Sequence, residues 1–242
     1  MPTPLHISIS EKLRHQIETG EYAPGEKLPS EHHLMAVFQV SRITVRQAIA
    51  NLINQGLAQS QQGKGVFVVS QKKVAYELST PLVFLADDLA QKGIELTFKS
   101  LTFCKTHLPS TARLALETAD RSAYLQKKLL YMDGAVGAID ISYIPLELGK
   151  RLGPQLKRQM TFPVLEENAI ALSQIDATIE CTRADYETSS YLDIPLAHPL
   201  IVYRYTARAD NQQPVLYGET LSRADRFCYS LNMKREESDK SA

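Results

Sequence analysis

The chain has 242 residues, of which 44% are apolar, and it carries 27 basic and 27 acidic side chains. A chain of this length and composition buries one large core or two modest ones, and we expect two domains. No apolar run approaches the roughly 18 residues of a membrane helix and the N-terminus lacks a signal-peptide core, so we expect a cytoplasmic protein without a membrane span.

Three helices are predicted in the first quarter of the chain. The first covers about residues 8–20, and two shorter helices lie within residues 28–55, separated by a tight turn at residues 38–41. Ser30 and Ser41 each stand at the start of one short helix, where serine is a favourable N-cap. Two short helices joined in this way have the layout of a helix-turn-helix.

The second of these short helices carries the residues that we expect to contact DNA. At a helical period its apolar side chains share one sector, and the solvent sector holds Arg42, Ile43, Arg46 and Gln47. Arginine binds guanine edges or phosphate, glutamine binds adenine or phosphate, and isoleucine contacts a thymine methyl. Residues 1–73 also carry eight basic against five acidic side chains. An ordinary charged helix surface is the alternative interpretation.

A β-hairpin is predicted directly after this helix. Residues 57–60 and 65–69 have the pattern of short strands, and the polar residues 61–64 form the tip between them. Gly63 lets the backbone approach a minor groove or a phosphate closely, and Lys64 adds a positive charge there. The hairpin is therefore interpreted as a DNA-binding wing, although an ordinary turn would use the same residues.

Residues 4–69 together resemble the winged helix-turn-helix of the GntR family of bacterial transcription regulators. The matching motifs are the PGEKLPSE turn, the VSRITVRQAI helix and the QGKGVFV wing. The resemblance implies that Arg42 and Arg46 are the two recognition-helix arginines, with Gly63 at the wing tip. It also places the hydroxyls of Ser41 and Thr44 near the DNA backbone. His32 stands where the family commonly has arginine, and it either contacts DNA in a pH-sensitive way or faces solvent.

The remaining chain is predicted to be an α+β domain. We expect residues 1–70 to be the DNA-binding domain, 71–80 a linker, 81–232 a second domain and 233–242 a disordered tail. Hairpins are predicted around Asp133-Gly134 and Asp210-Asn211, and two similar blocks of helix then hairpin indicate a largely antiparallel sheet. Helices are expected at residues 87–92, 110–116, 162–168 and 187–192, and strands at 95–105, 124–132, 136–144, 177–184, 200–209 and 214–222.

This order of elements resembles the UTRA effector-binding domain of the HutC-like branch of the GntR family. The motifs that carry the resemblance are Asp88-Leu89 with Gly93, SYIP at residues 142–145, QPVLY at 213–217 and RADRF at 223–227. The resemblance implies a chorismate-lyase-like fold that binds a small molecule. It also implies a homodimer that the ligand shifts between DNA-competent and DNA-incompetent arrangements.

The same resemblance implies an effector pocket built from polar side chains on these hairpins. Lys128 stands where arginine is common and Asp140 where glutamate is common, whereas Ala86 and Ser222 replace a hydroxyl residue and a tyrosine. The last two changes weaken the case for a sugar phosphate. For each candidate, a salt bridge or a structural hydrogen bond is the alternative. The candidate effector-binding residues are Lys128, Asp140, Tyr143, Glu180, Tyr217, Glu219 and Arg223, with Lys128, Asp140 and Arg223 as the central group.

The expected function is that of a homodimeric repressor that binds a pseudo-palindromic operator and responds to an anionic or polar metabolite of unknown identity. A lyase-like enzyme fused to a DNA-binding domain is one alternative, although no catalytic arrangement is recognisable. A constitutive DNA-binding protein is another, and it would be favoured if the central group did not line a common cavity. Three cysteines without CxxC spacing are expected to be buried and reduced, and we expect no metal site and no cofactor.

Overall fold

The computed structural model describes residues 4–69, 73–78 and 84–231. The chain divides into two compact units, Met1–Lys73 and Val74–Ala242. Within the described ranges, none of the helices combines the length and the apolar content that a membrane crossing requires.

The first unit is a winged helix-turn-helix. Its elements are α1 (Leu5–Glu18), α2 (Glu31–Phe38), α3 (Arg42–Asn54) and the antiparallel hairpin of β1 (Ala58–Gln61) and β2 (Gly65–Val68). Leu13, Leu34 and Leu52, one from each helix, are at most 2% exposed and belong to one core. Ser30 accepts a hydrogen bond from the His33 backbone N–H, and Ser41 accepts one from that of Thr44, so both predicted N-caps are confirmed.

The second unit contains a single large sheet. Its elements are β3 (Val74–Leu78), α4 (Leu85–Gln91), β4 (Leu96–His107), α5 (Ser110–Ala115), β5 (Ser122–Met132), β6 (Ala135–Ile144), α6 (Leu146–Leu156), α7 (Thr161–Glu167), β7 (Leu172–Arg183), α8 (Tyr186–Leu192), β8 (Pro199–Ala209), β9 (Pro214–Arg223) and β10 (Phe227–Leu231). Six strands pair in the order β4-β5-β6-β9-β8-β7, and every pair is antiparallel. The predicted α+β domain with an antiparallel sheet is therefore confirmed.

The two halves of this sheet repeat the same order of elements, as the sequence blocks predicted. Each half has a long strand, a short helix and a hairpin, and the halves meet at the central pair of β6 and β9. Asp133 and Gly134 have φ angles of 50° and 74°. Two consecutive positive φ angles are typical of the tight turn that joins hairpin strands.

Different helices cover the two faces of the sheet. Ile144 and Tyr205 share a core cluster with Leu156 of α6 and Leu165 of α7. Ile139 belongs instead to the cluster that contains α8. We call these two surfaces the α6–α7 face and the α8 face. Because side chains alternate along a strand, neighbouring residues of β5, β6, β8 and β9 belong to opposite faces.

The sequence did not predict α6. Gly149, Gly153 and Pro154 give this segment a low helix propensity. A Cβ at Gly149 would lie 2.4 Å from the ring of Tyr124. Glycine is therefore required because α6 packs closely against β5.

Part of the expected linker is a strand. Residues 74–78 form β3, which pairs in parallel with β10. Tyr76 and Phe227 are 6% and 1% exposed, so burial of aromatic side chains accounts for the pairing. The linker prediction is wrong for these residues, while residues 71, 72, 79 and 80 and the expected tail at 233–242 lie outside the described residues.

The expectation of buried cysteines is also wrong. Cys104 and Cys181 are exposed, and Cys228 is partly exposed. Cys104 lies on β4 and Cys181 on β7, the two edge strands of the sheet. An edge strand has a neighbour on one side alone, which leaves its side chains less covered.

Candidate DNA-binding surface and effector cavity

Two arginines of α3 project from the surface of the first unit. The side chains of Arg42 and Arg46 are 69% and 70% exposed, and the carboxylate of Glu31 contacts both. The distances are 3.0 Å from Arg42 Nε to Glu31 Oε2 and 3.3 Å from Arg46 Nε to Glu31 Oε1. Because each contact is made by Nε, the terminal guanidinium nitrogens keep the geometry that binds guanine or phosphate.

The other predicted residues of α3 adjoin these arginines. Ile43 is 70% exposed, and Gln47 is exposed as well. The hydroxyls of Ser41 and Thr44 lie 2.9 Å apart at the start of the helix. The cap therefore fixes the first turn of α3, whose backbone N–H groups favour a phosphate.

The tip of the wing and His32 are exposed. Gly63 has a φ of 73°, and an added Cβ there would meet nothing within 4 Å, so the backbone conformation rather than packing favours glycine. Lys64 is exposed beside it. At Gly65 an added Cβ would lie 2.5 Å from Lys27 Cε. Lys27, which belongs to the PGEKLPSE segment, therefore adds a basic side chain at the base of the wing.

In the second unit, Asp140 is the centre of a buried hydroxyl cluster on the α6–α7 face. It is 8% exposed. Its Oδ1 accepts hydrogen bonds from Tyr205 at 3.2 Å and Thr220 at 3.0 Å, and its Oδ2 accepts one from Ser142 at 2.9 Å. Asp140 is thereby held in one orientation.

Lys128 lies opposite Asp140 in the register of β5 and β6. Its side chain is fully buried, and Nζ donates to the Gln159 carbonyl at 2.6 Å and to Thr161 Oγ1 at 3.3 Å. Nζ also lies 4.7 Å from the centre of the Phe98 ring. Burial lowers the pKa of Lys128 to about 8, and the charge of Asp140 opposes that shift.

A cavity of about 60 Å³ lies beside Asp140. Thr161 and Phe162 of α7 and Thr220 of β9 line it, and so does Ala86, the position at which the sequence lacks a hydroxyl. Lys128 approaches this cavity through its contact with Thr161. Asp140 therefore lines the cavity, whereas Lys128 lies next to it, behind Thr161.

Arg223 does not lie with Asp140 and Lys128. Its guanidinium makes two contacts with Asp225, of 3.1 Å and 2.7 Å, and donates to the Leu192 carbonyl of α8 at 3.2 Å. His198 Nε2 lies 3.2 Å from the same carboxylate. Burial would raise the pKa of Asp225, but hydrogen bonds from His198 and Arg223 and the arginine charge hold that pKa well below its usual value. Arg223 has a structural role in this geometry, and the central group does not line a common cavity.

Four further candidates gather on the α8 face around Arg204. Arg204 contacts Glu180 at 2.7 Å and Glu219 at 3.1 Å, and Tyr217 donates to Glu219 at 2.7 Å. The ring of Tyr143 lies 6.3 Å from that of Tyr217. Burial and the charge of Glu219 raise the pKa of Tyr143. These residues form a polar network on the opposite face of the sheet from Asp140.

Sequence reasoning missed the aromatic side chains of the cavity. Tyr203 and Tyr205 are two residues apart on β8, and both face the cavity. Their spacing of two residues could have assigned them to one face of a strand. It could not have indicated α7, because Phe162 comes from a short helix far away in sequence.

Two families match this chain. Residues 6–68 match the family described as "Bacterial regulatory proteins, gntR family", and residues 91–228 match the "UTRA domain". The two matches correspond to the winged helix-turn-helix and to most of the second unit.

Individual proteins match along almost the whole chain. The "HTH-type transcriptional repressor NagR" of Bacillus subtilis (strain 168) is 28% identical over 238 residues, which are 97% of this chain and 96% of that protein. The "Probable fructoselysine utilization operon transcriptional repressor" of Escherichia coli (strain K12) is 30% identical over 241 residues, 96% of this chain and 95% of that protein. The crystal structure of PhnF from Mycobacterium smegmatis is similar with a TM-score of 0.61 at 17% identity, covering 94% of this chain and 100% of that one. This last likeness is one of fold.

Proposed function

Because this chain belongs to the GntR family of bacterial regulatory proteins, we propose that it is a transcriptional repressor whose operator binding is controlled by a small molecule. The first unit binds DNA, and the second unit binds the effector. The repressor names of its relatives support the sign of regulation.

The observation that carries the DNA-binding part is the exposed pair Arg42 and Arg46 on a capped recognition helix. In this arrangement α3 enters the major groove, and Arg42, Arg46 and Gln47 bind base edges or phosphates. Gly63 and Lys64 lie at the adjacent minor groove. Ser41 and Thr44 contact the backbone, and His32 adds an exposed side chain on α2.

The subunits act as a homodimer in this proposal, each binding one half of a pseudo-palindromic operator. Two half-sites spaced by one or more helical turns of DNA would match a two-fold symmetric protein. The mass of the protein in solution, measured by light scattering with and without operator, tests the dimer. A monomer on DNA would contradict it.

The separation of Arg223 from Asp140 favours a constitutive DNA-binding protein, but the match to the UTRA domain supports an effector, and in this proposal its site is the cavity beside Asp140. Asp140 remains its candidate contact, and Lys128 lies next to the cavity without lining it. The other candidates lie around Arg204 on the α8 face, on the opposite side of the sheet from the cavity. In this proposal they affect the effector indirectly, through the strands that they share with Asp140 and its neighbours. They are Tyr143, Glu180, Tyr217 and Glu219.

The experiment begins with selection of bound sequences from a random double-stranded DNA library. Enrichment of a pseudo-palindrome is the expected result, and the affinity of the selected operator is then compared between the wild type and Arg46→Ala. Arg14→Ala is the matched control, because Arg14 is a partly exposed arginine of α1 paired with Glu11 and Glu18. Failure to enrich any sequence would contradict the proposal.

A further inference from the structure

The cavity beside Asp140 has an unusual lining for a site that would receive an anion. Among the described residues that line it, Asp140 supplies the one charged side chain. Two threonines supply hydroxyls. The aromatic lining consists of Tyr76, Phe84, Phe162, Tyr203, Tyr205 and Tyr229.

The carboxylate of Asp140 has capacity for another donor. Its Oδ1 already accepts from Tyr205 and Thr220, whereas its Oδ2 accepts from Ser142. A carboxylate has about four acceptor positions, so a ligand N–H can bind beside these three hydroxyls. A charged donor at a buried carboxylate makes a stronger hydrogen bond than a neutral one.

The nearby lysine is directed elsewhere. Lys128 Nζ is bound to the Gln159 carbonyl and to Thr161, and it lies over the Phe98 ring. A phosphate or carboxylate in the cavity would lie next to Asp140, with Lys128 already committed to these contacts. Because Asp140 supplies the charge in the lining, the cavity favours a cation over an anion.

We propose that the effector of this site is an ammonium compound with an apolar or aromatic body, whose cation lies beside Asp140 among the aromatic rings. Aromatic faces attract cations, and Asp140 provides the opposite charge. This inference rests on the proposed function and specifies its ligand class. The cavity volume of about 60 Å³ is well below the roughly 150 Å³ of an apolar cavity that binds benzene, so the cavity receives the charged headgroup rather than a whole metabolite.

Three ligands that share a phenyl ring but differ in charge test this proposal. Benzylamine, benzyl alcohol and benzoate have similar size and are respectively cationic, neutral and anionic at pH 7. Their dissociation constants for the full-length protein are measured by calorimetry, with thermal shift as a second readout. We expect benzylamine to bind about tenfold more tightly than benzyl alcohol, and benzoate to bind most weakly.

Asp140→Asn should reduce the preference for benzylamine over benzyl alcohol to about equality while leaving the affinity for benzyl alcohol similar. Asp120→Asn, at an exposed aspartate, is the matched control and should keep the preference. The charge series is measured on the wild type, so the decision does not depend on whether the buried-site variant folds.

Tighter binding of benzoate than of benzylamine would overturn the proposal, and so would absence of binding by all three compounds. Operator affinity is measured on the same preparations without ligand. Failure to bind operator would contradict the proposed repressor function, whereas the order of the three ligands tests the ligand class alone.

Discussion

Lys128 and Asp140 occupy paired positions on β5 and β6, yet the lysine Nζ donates to the Gln159 carbonyl at 2.6 Å. The carboxylate, in turn, accepts hydrogen bonds from three hydroxyls. A fully buried ammonium is thus stabilised by a carbonyl, a hydroxyl and a ring. The desolvation of its charge is incompletely compensated, which lowers its pKa.

The lowered pKa of Lys128 predicts a pH dependence of stability. The folded-state pKa is about 8 and the ordinary value is 10.5, so between these pH values the unfolded chain binds more protons than the folded one. The free energy of unfolding should therefore rise with pH across this window, by about 2–3 kcal/mol from this group. Below pH 8 both states are protonated and the cost of the buried charge is present in full.

The measurement is urea unfolding at pH 7.0 and pH 10.0 for the wild type and Lys128→Met. Because methionine does not titrate, the stability of the wild type relative to this variant should increase at the higher pH. Lys99→Met, at an exposed lysine of β4, is the control and should follow the wild type. A constant difference between wild type and Lys128→Met at the two pH values would contradict the prediction.

The pairing of Asp225 with Arg223 and His198 predicts a second pH dependence of the free energy of unfolding, at low pH. The pKa of Asp225 is depressed in the folded state, so its stabilising effect is present above about pH 4 and is lost as the pH falls through the lower folded-state pKa. Asp225→Asn should reduce the free energy of unfolding by about 3–5 kcal/mol at pH 7, since it leaves Arg223 buried without its partner.

The loss should shrink as the pH is lowered from 4 toward 2, because the Asp225 carboxyl of the unfolded wild-type chain then binds a proton that the folded protein does not bind. Denaturant unfolding at several pH values measures it, with Asp120→Asn as an exposed control. A loss that stayed constant over this range would show that the ion pair does not titrate as described.

The close approach of Gly149 to Tyr124 predicts that a side chain at position 149 lowers the stability of the protein. In Gly149→Ala the new Cβ would overlap the ring and Cβ of Tyr124, at distances of 2.4–2.7 Å. These atoms are near the backbone of β5 and cannot rotate away, so the variant should lose about 1–3 kcal/mol of stability. Lys150→Ala, at the next and exposed position of α6, should change it by less than about 0.5 kcal/mol in the same urea titration. Equal stabilities of the two variants would contradict the close approach.

The sequence predicted those parts of the molecule that local patterns determine. Alternation and turn residues indicated the hairpin at Asp133-Gly134, and Ser30 and Ser41 marked the helix starts. The pairing of β3 with β10 was missed because two strands distant in sequence stabilise each other by burying aromatic residues such as Tyr76.

The same limit applies to the site. Asp140 and Lys128 could be placed together because they lie on one hairpin. Arg223 was misplaced because its contact with the Leu192 carbonyl depends on the position of α8 relative to β9, and because the pairing with Asp225, two residues further along the chain, was not considered. Tertiary packing, rather than residue type, decides whether a buried arginine binds a ligand or an aspartate.

The contacts of Glu31 with Arg42 and Arg46 predict how DNA recognition responds to mutation. If Arg46 binds a base, Arg46→Ala should weaken the selected operator by about 1–3 kcal/mol and relax the preference at one base position. If it binds a phosphate, affinity should fall by a similar factor for all sequences. The slope of the logarithm of the binding constant against the logarithm of the salt concentration should then become shallower by about one unit. Fluorescence anisotropy with operator variants at several salt concentrations separates the two, and unchanged binding would contradict both.

Glu31→Gln tests the role of the carboxylate that holds these arginines. Removing a negative charge beside the DNA surface should strengthen binding to unrelated DNA, because less repulsion opposes the phosphates. Loss of the two contacts frees both guanidinium groups, so operator affinity should gain less, and the ratio of operator to unrelated affinity should fall by about 3- to 10-fold. Glu11→Gln, at a glutamate of α1 paired with Arg14, is the control and should keep the wild-type ratio. An increase in the ratio for Glu31→Gln would mean that Glu31 competes with the operator rather than orienting the arginines toward it.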